Sequence, residues 1–223
     1  LDGVLAELEE KLAAGPDWIT LSGSGEPTLF APLDRVIAGI RARTDTPVAV
    51  LTNGSLLWRE EVRRELGGAD LVVPSLDAGD PALFAQVNRP HPGITFARMV
   101  EGLLALRREF DGEIWLEVFL LAGLTAGEEP ARAIADLARR IGPDRVQLNT
   151  VTRPAAEEYA RTVKRERMEE LARLFAPPAE VIADWRQVHG RGEFRAGREA
   201  VLELLRRRPC SLDDIAGGLD IHR

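Results

Sequence analysis

Ser22-Gly-Ser-Gly-Glu-Pro-Thr-Leu29 directly follows the apolar run Trp18-Ile-Thr-Leu21, and this junction decides how the chain folds. An apolar run that ends in a glycine-rich turn is typical of a strand whose following loop lets a ligand approach the backbone. The carboxylate of Glu26 favours a positively charged ligand. The stretch fits neither of two common phosphate-binding motifs. A P-loop would have Gly-Lys-Ser/Thr in place of Gly25-Glu26-Pro27, and a dinucleotide-binding fingerprint would have a third glycine in place of Thr28. An ordinary strand-to-helix turn remains an alternative.

Length and composition indicate one core domain with a small appendage. The 223 residues are 45% hydrophobic without any apolar run long enough to cross a bilayer, so we expect a sizeable core in water and no membrane partner. A net charge of -7 disfavours a general electrostatic attraction to nucleic acid. The chain begins at Leu1 without a targeting segment, which predicts a cytoplasmic protein and, with the helical pattern already under way, a fragment.

Cysteine and histidine are too few and too scattered for a metal site within this sequence. Cys210 is the single cysteine, whereas disulfide frameworks, zinc knuckles and cysteine-ligated clusters need more sulfur. His91, His189 and His222 lack metal-ligand spacing. We therefore predict no metal ligands in the chain as given.

Apolar periodicity predicts an alternation of helices and strands. Helical spacing begins at Leu1 and ends before Gly15-Pro16, Asp80-Pro81 and Thr95 are typical helix starts, and Gly142-Pro143 is a typical helix end. Strands are predicted at 17–22, 47–52, 70–74, 113–121, 145–149 and 181–185. Such alternation with near-continuous apolar strands indicates a parallel sheet covered by helices.

Polar residues follow several of these strands. In a parallel sheet, ligands bind beyond the carboxyl ends of the strands, where the following loops meet. These ends carry the residues that we predict to form one binding site, although each alone is also a common cap or turn former. They are Ser22, Gly23, Ser24, Gly25, Glu26, Thr52, Asn53, Ser75, Asp77 and Asn149, followed by Thr150.

The sequence changes character after about Arg195. An amphipathic stretch up to Arg208, the break at Pro209 and a second helix start at Ser211 resemble the opening of a winged-helix or helix-turn-helix unit. The run 206–208 could contact phosphates, or it could be a solvated helix end. We therefore predict two parts, a core at 1–190 and the start of this unit at 195–223.

Three motifs in this order resemble those of radical S-adenosylmethionine (radical SAM) proteins: Ser22 to Leu29, then Leu51-Thr-Asn-Gly-Ser-Leu-Leu57, then Pro74-Ser-Leu-Asp-Ala78 followed by Phe84 and Asn88-Arg-Pro90. The resemblance covers roughly residues 1–185. It is strongest to the iron-sulfur oxidoreductase group related to the wybutosine-forming tRNA enzymes.

The resemblance implies an α/β fold, a partial (β/α)6 barrel with parallel strands, that binds SAM chelating a [4Fe-4S] cluster. Ser24-Gly25-Glu26 takes the place of the family's Gly-Gly-Glu motif, with serine for the first glycine, and is expected to bind the methionyl amine of SAM. Thr52, Asn53, Ser75 and Asp77 would face the SAM carboxylate and ribose, and the segment at Leu148-Asn149 the adenine.

The family's Cys-x3-Cys-x2-Cys loop is absent from the chain and would precede Leu1. The chain as given is therefore expected to be inert. In an intact enzyme the cluster, supplied with an electron by a donor, would cleave SAM to a 5′-deoxyadenosyl radical that modifies a substrate; an RNA base, for example in tRNA, is the first candidate. The main alternative is a catalytically sterile regulator that senses SAM or a nucleotide and binds nucleic acid through its tail. A third is an ordinary acid-base enzyme using Glu26, Asp77 and Glu117.

Overall fold

The computed structural model describes residues 2–23, 25–152 and 160–183. Seven α-helices and six strands are assigned within these ranges, together with a short 3-10 helix at Pro27–Leu29. In chain order they are α1 Asp2–Leu12, β1 Ile19–Leu21, α2 Leu33–Arg41, β2 Val48–Thr52, α3 Glu60–Glu65, β3 Leu71–Pro74, α4 Pro81–Val87, α5 Phe96–Glu109, β4 Glu113–Leu120, α6 Glu128–Ile141, β5 Arg145–Thr150, α7 Arg165–Ala172 and β6 Glu180–Val181.

The six strands form one parallel sheet in the spatial order β1-β2-β3-β4-β5-β6. Each connection therefore advances by one strand, as in a barrel, but β1 and β6 are not paired with each other and the sheet is open. This confirms the predicted α/β class and the partial barrel of parallel strands. All carboxyl ends lie at the same rim.

The helices pack on one face of the sheet. Alternate strand residues on this outer face are fully buried against the apolar stripes of the helices, and they join one core that extends from α1 to α7. These strand residues are Val48, Val50, Val72, Ile114, Leu116, Val118, Val146 and Leu148. Burial of this continuous apolar surface is the main favourable term in folding.

The concave inner face of the sheet is less apolar than the outer face. The prediction of near-continuous apolar strands is therefore only partly right. A small apolar cluster of Ala49, Leu71 and Val73, flanked by Leu51 and Trp115, covers the inner face near the middle of β2 and β3. The side chains that alternate with the buried ones are partly or fully accessible: on β5 they are polar, and on β4 glutamates alternate with Trp115 and Phe119. The inner face therefore combines an apolar floor with polar residues nearer the rim.

The predicted helix ends are confirmed. The side chain of Asp80 accepts hydrogen bonds from Ala82 N and Leu83 N, that of Thr95 accepts one from Arg98 N, and Gly142 ends α6 with φ 69°. The strand predicted at 17–22 is shorter than expected, because only Ile19–Leu21 pairs with β2.

Part of the predicted chain lies outside the described residues. The strand predicted at 181–185 is observed at Glu180–Val181, with Ile182 and Ala183 outside it and the rest undescribed. The predicted unit at 195–223, which contains Cys210 and His222, lies in the undescribed part, as does His189. In the described part, none of the helices combines the length and apolar character that a membrane span requires.

Candidate active site at the rim of the sheet

The strand register places predicted site residues in one row at the rim. Thr52 is level with Pro74, so Asn53 lies beside Ser75 one step further along. Ser75 is bridged to Glu117, and Glu117 is level with Gln147 on β5. Because side chains along a strand alternate between faces, these four residues share the concave face of the sheet. One row of neutral polar groups with a single carboxylate thus crosses four strands.

A pocket of about 300 Å³ lies between this row and the glycine-rich turn. Seven of the predicted site residues line it, together with the floor residues Leu51 and Val73 and with Pro27 and Glu117. The seven are Ser22, Gly23, Gly25, Glu26, Thr52, Asn53 and Ser75. Of the four loops predicted to converge, those after β1, β2 and β3 therefore line one pocket, whereas Asn149 at the end of β5 does not line it.

Glu26 joins the glycine-rich turn to the end of β2. Its Oε1 accepts hydrogen bonds from Thr28 N (3.1 Å), Thr28 Oγ1 (2.7 Å) and Thr52 Oγ1 (2.5 Å), and its Oε2 accepts one from Asn53 N (2.7 Å). A carboxylate has about four acceptor positions, two on each oxygen. Oε1 is therefore fully used within the protein, whereas Oε2 keeps one position for a ligand.

The glycines of the turn leave space against the backbone. A Cβ added at Gly23 or Gly25 would meet no atom within 4 Å, and both residues are exposed. Packing among the described residues does not require glycine at either position, although both glycines line the pocket. Such a bare backbone suits a ligand that contacts peptide groups directly.

The loop after β2 is held in a fixed turn. Asn53 Oδ1 accepts a hydrogen bond from Ser55 N, and Thr52 Oγ1 accepts one from Gly54 N. Gly54 has φ 73°, and a Cβ there would lie 2.8 Å from Met99 Cε. This turn directs the amide nitrogen of the exposed Asn53 side chain away from its own backbone contacts, where it can donate to a ligand.

Asp77 is not among the residues that line the pocket. Its Oδ1 accepts a hydrogen bond from Phe119 N (3.0 Å) and its Oδ2 one from Asn88 Nδ2 (2.9 Å). Burial raises the pKa of Asp77 from its ordinary value of 3.8 to about 6, and the negative charge of Glu117 adds to this while the two hydrogen bonds oppose it. Asp77 connects the loop after β3 to β4 and to the end of α4.

Asn149 also uses its side chain within the protein. Its Nδ2 donates to Glu117 Oε1 (3.0 Å), and its Oδ1 accepts from Thr150 N (2.9 Å). It lies outside the set that lines the pocket, so its predicted contact with adenine stays a prediction. Thr150 is buried and donates to Leu120 O, so it is a structural residue.

Glu117 lines the pocket, although the sequence analysis assigned it only to the acid-base alternative. Its neighbours Ile114, Leu116 and Val118 are fully buried on the outer face. That period-2 pattern is the signal that could have placed Glu117 on the inner face beside Ser75. The predicted site residue Ser24 lies outside the described residues.

The residues of the rim fit SAM but do not fit an iron-sulfur cluster. Bare backbone, one open carboxylate position and a free amide can receive the ammonium and carboxylate of an amino acid. A [4Fe-4S] cluster needs cysteine thiolates, and the chain has only Cys210. Over the described ranges there is also no group of three or more His, Cys, Asp or Glu side chains that could hold a metal ion.

The fold is a partial parallel barrel with a pocket at the carboxyl ends of its strands. The family model described as "Radical SAM superfamily" matches residues 2–138. The chain belongs to the radical SAM superfamily, which confirms the resemblance inferred from the three motifs.

Relatives in other organisms match most of the chain. A Brachyspira hyodysenteriae protein named GTPase Obg is 39% identical over 97% of this chain, which corresponds to 32% of that protein. UPF0026 proteins of Methanocaldococcus jannaschii and a Synechocystis strain are 33% and 37% identical over 71% and 68% of the chain. The chain spans from a third to just over half the length of these relatives.

Solved structures share the fold. A domain of pyruvate-formate lyase-activating enzyme from Bacteroides vulgatus superimposes with a TM-score of 0.57 at 16% identity, covering 74% of this chain and 98% of that one. A radical SAM methyltransferase from Sphaerobacter thermophilus gives a TM-score of 0.60 at 18% identity, covering 81% and 56%. These likenesses support the partial barrel alone.

Proposed function

We propose that this chain is the SAM-binding core of a radical SAM enzyme. The observation that carries the proposal is the pocket lined by the bare Gly23 and Gly25 backbone, by Glu26 with its open Oε2 position, and by Asn53 and Ser75. Membership of the superfamily makes SAM the first ligand to test in this pocket.

The glycine-rich turn, Asn53 and Ser75 each have a proposed part in binding SAM. Backbone carbonyls of the turn and Glu26 Oε2 accept hydrogen bonds from the methionyl ammonium. The Asn53 amide donates to the carboxylate, and Ser75 contacts the ribose. Asp77 and Asn149 act through their neighbours: Asp77 fixes the loop after Ser75, and the segment at Leu148-Asn149 is proposed to border the adenine.

The iron-sulfur cluster of the family would require thiolates from outside these 223 residues. We place them in a segment of a longer protein, and the cluster would supply the electron that cleaves bound SAM, with a separate donor reducing it. Modification of an RNA base stays a proposal from the resemblance. The alternative of a nucleic-acid-binding regulator depends on residues 195–223, outside the described part of the chain.

The acid-base alternative is less well supported by the pocket. Such an enzyme would pair its carboxylates with a basic group, usually a histidine or lysine. Among the described residues that line the pocket, none is a histidine, lysine or arginine. We therefore favour binding of a cationic cofactor over proton transfer by the protein.

Titration of SAM into the 223-residue chain by isothermal calorimetry tests the proposal. Glu26→Ala removes the open acceptor and the connection to Asn53 N, so we expect at least about a tenfold loss of affinity, the equivalent of about 1.4 kcal/mol. Glu26→Gln, which keeps one acceptor oxygen, should show a smaller loss. The control is Glu169→Ala, which removes the same charge from an exposed position on α7.

Circular dichroism at the titration temperature ensures that the Glu26 variants are folded. Unchanged affinity in folded Glu26→Ala would show that Glu26 does not anchor the amine. Absence of SAM binding by the parent chain, with folding intact, would overturn the proposed function of these residues.

A further inference from the structure

We propose that Glu117 is a specificity-determining residue that binds a cationic group, an amine or guanidinium, of the substrate. The inference deepens the proposed function, on which it rests, by naming the chemical class of the molecule that occupies the barrel mouth beside SAM.

Glu117 occupies the centre of the concave face. It lies on β4, level with Ser75 on one side and with Gln147 on the other, and it lines the same pocket as the glycine-rich turn. The backbone at this position is fixed, because Leu76 N donates to Glu117 O at 2.8 Å. A side chain on a central strand holds its direction better than one on a loop.

One oxygen of Glu117 is committed and the other is open. Asn149 Nδ2 donates to Oε1, and the second hydrogen bond of Asn149, from Thr150 N to Oδ1, fixes the orientation of that amide. Within the described ranges no hydrogen bond or ion pair is recorded for Glu117 Oε2. The carboxylate is therefore oriented by the protein with an acceptor left for a ligand.

The surroundings of Glu117 favour positive charge. The pocket contains the carboxylates of Glu26 and Glu117, and the described residues that line it include no basic side chain. Arg145, one step further down the inner face, lies over the Trp115 ring and pairs with Glu180 at 3.5 Å. An anionic substrate group at Glu117 would be repelled, whereas a cation would form a charge-assisted hydrogen bond.

The cations of SAM itself do not account for Glu117. If the ammonium binds at the turn beside β2, Glu117 on β4 is two strand spacings away, or about 10 Å. The sulfonium is joined to the ammonium by a short aliphatic chain and stays near the turn. Glu117 therefore faces either the ribose or a second molecule. Two carboxylates and, among the described lining residues, no basic side chain favour a cationic group over a neutral hydroxyl, and hence a second molecule.

The experiment uses n-butylamine, n-butylguanidine and n-butanol as probes of the SAM-saturated chain. Binding is followed by changes in backbone amide NMR shifts. We expect both cations to bind saturably and butanol to bind at least about tenfold more weakly. In Glu117→Gln, which keeps the acceptor for Asn149, cation binding should weaken at least about tenfold while the SAM affinity stays within about twofold. Glu169→Gln is the charge-matched control.

Three results would overturn the inference. A tenfold loss of SAM affinity in Glu117→Gln would assign the residue to the nucleoside. Equal binding of butanol and butylamine, or amine binding unaffected by Glu117→Gln, would show that the residue does not select a cation. If the parent chain binds no SAM, the proposed function fails separately, and titration of free chain with butylamine, comparing Glu117→Gln with Glu26→Gln, still tests Glu117.

Discussion

Three carboxylates near the rim differ in whether an oxygen remains free to accept a hydrogen bond from a ligand. Glu26 and Glu117 each keep an acceptor position toward the pocket, whereas both oxygens of Asp77 bind groups of the protein. Burial also raises the pKa of Asp77 to about 6. The first two residues are therefore candidates for ligand contact, and Asp77 is a positioning residue.

The pKa of Asp77 predicts a specific pH dependence of stability. A carboxyl whose pKa is higher in the folded state than its ordinary 3.8 binds its proton more tightly when folded. Its contribution is fully present below about pH 4 and is lost as the pH rises through 6. The free energy of unfolding of the parent, relative to Asp77→Asn, should therefore fall by up to about 3 kcal/mol between pH 4 and 7.

Urea denaturation of the two proteins at several pH values measures this difference. In Asp77→Asn, Oδ1 can still accept from Phe119 N. The buried Asn88 Oδ1, which has no hydrogen-bond partner among the described residues, can accept from the new amide after a flip of the Asn88 side chain. The variant should therefore fold. A difference between parent and variant that does not change with pH would show that Asp77 is not held in the buried form described here.

The sequence predicted which residues share the rim where a general rule applied. Ser22, Asn53 and Ser75 were placed together because the carboxyl ends of parallel strands share one rim. Asp77 lies outside the pocket because its carboxylate is bound by Phe119 N. The sequence could not show this, because the two residues are far apart in the chain and no local pattern reveals such a contact. In the sequence analysis Glu117 was named only for the acid-base alternative, because the strands were treated as near-continuous apolar runs and not as alternating ones.

At the scale of elements, the loop after β2 depends on its close contact with α5. A Cβ at Gly102 would lie 2.5 Å from Trp58 N and 2.6 Å from Leu57 C, so this helix touches the backbone of the loop that follows Asn53. Arg98, one turn earlier on α5, lies 4.5 Å from the Trp58 ring centre. Helix packing thereby fixes the loop that carries a site residue.

Gly102→Ala should therefore destabilise the protein, although alanine is the better helix former. Overpacking against backbone is expected to cost roughly 1–3 kcal/mol in the free energy of unfolding. The matched control is Gly3→Ala in α1, where a Cβ meets nothing within 4 Å and the change should stabilise by up to about 1 kcal/mol. Thermal denaturation of both variants measures the two changes in stability. If Gly102→Ala is more stable than the parent, α5 does not contact the Leu57-Trp58 backbone as closely as described.

Element boundaries were predicted best where a single residue sets them. Asp80, Thr95 and Gly142 act through side-chain caps or a positive φ, which are local and visible in the sequence. The 3-10 helix Pro27–Leu29 was not predicted, because it is short and is held by the contact between Glu26 and Thr28. The length of β1 depends on its pairing with β2, which is a tertiary property.

At the scale of the whole molecule, a tryptophan beside the first strand meets a tryptophan on the fourth strand across the concave face. Trp18, directly before β1, and Trp115 on β4 have ring centroids 6.2 Å apart at 60°. Flat parallel strands three positions apart would be separated by about 14 Å. The pair therefore reports the barrel-like bending that forms a pocket from residues on separate strands.

A double-mutant cycle on Trp18 and Trp115 tests this curvature. Edge-to-face aromatic pairs contribute about 0.5–1.5 kcal/mol beyond burial, so the effects of Trp18→Ala and Trp115→Ala on the free energy of unfolding should be non-additive by that amount. Trp58 provides the control, because it lies on the loop that α5 contacts. The effects of Trp18→Ala and Trp58→Ala should add within about 0.5 kcal/mol. If the effects of Trp18→Ala and Trp115→Ala on the free energy of unfolding are also additive, the two rings do not pack against each other in solution. The sheet would then be flatter, and its pocket wider, than described here.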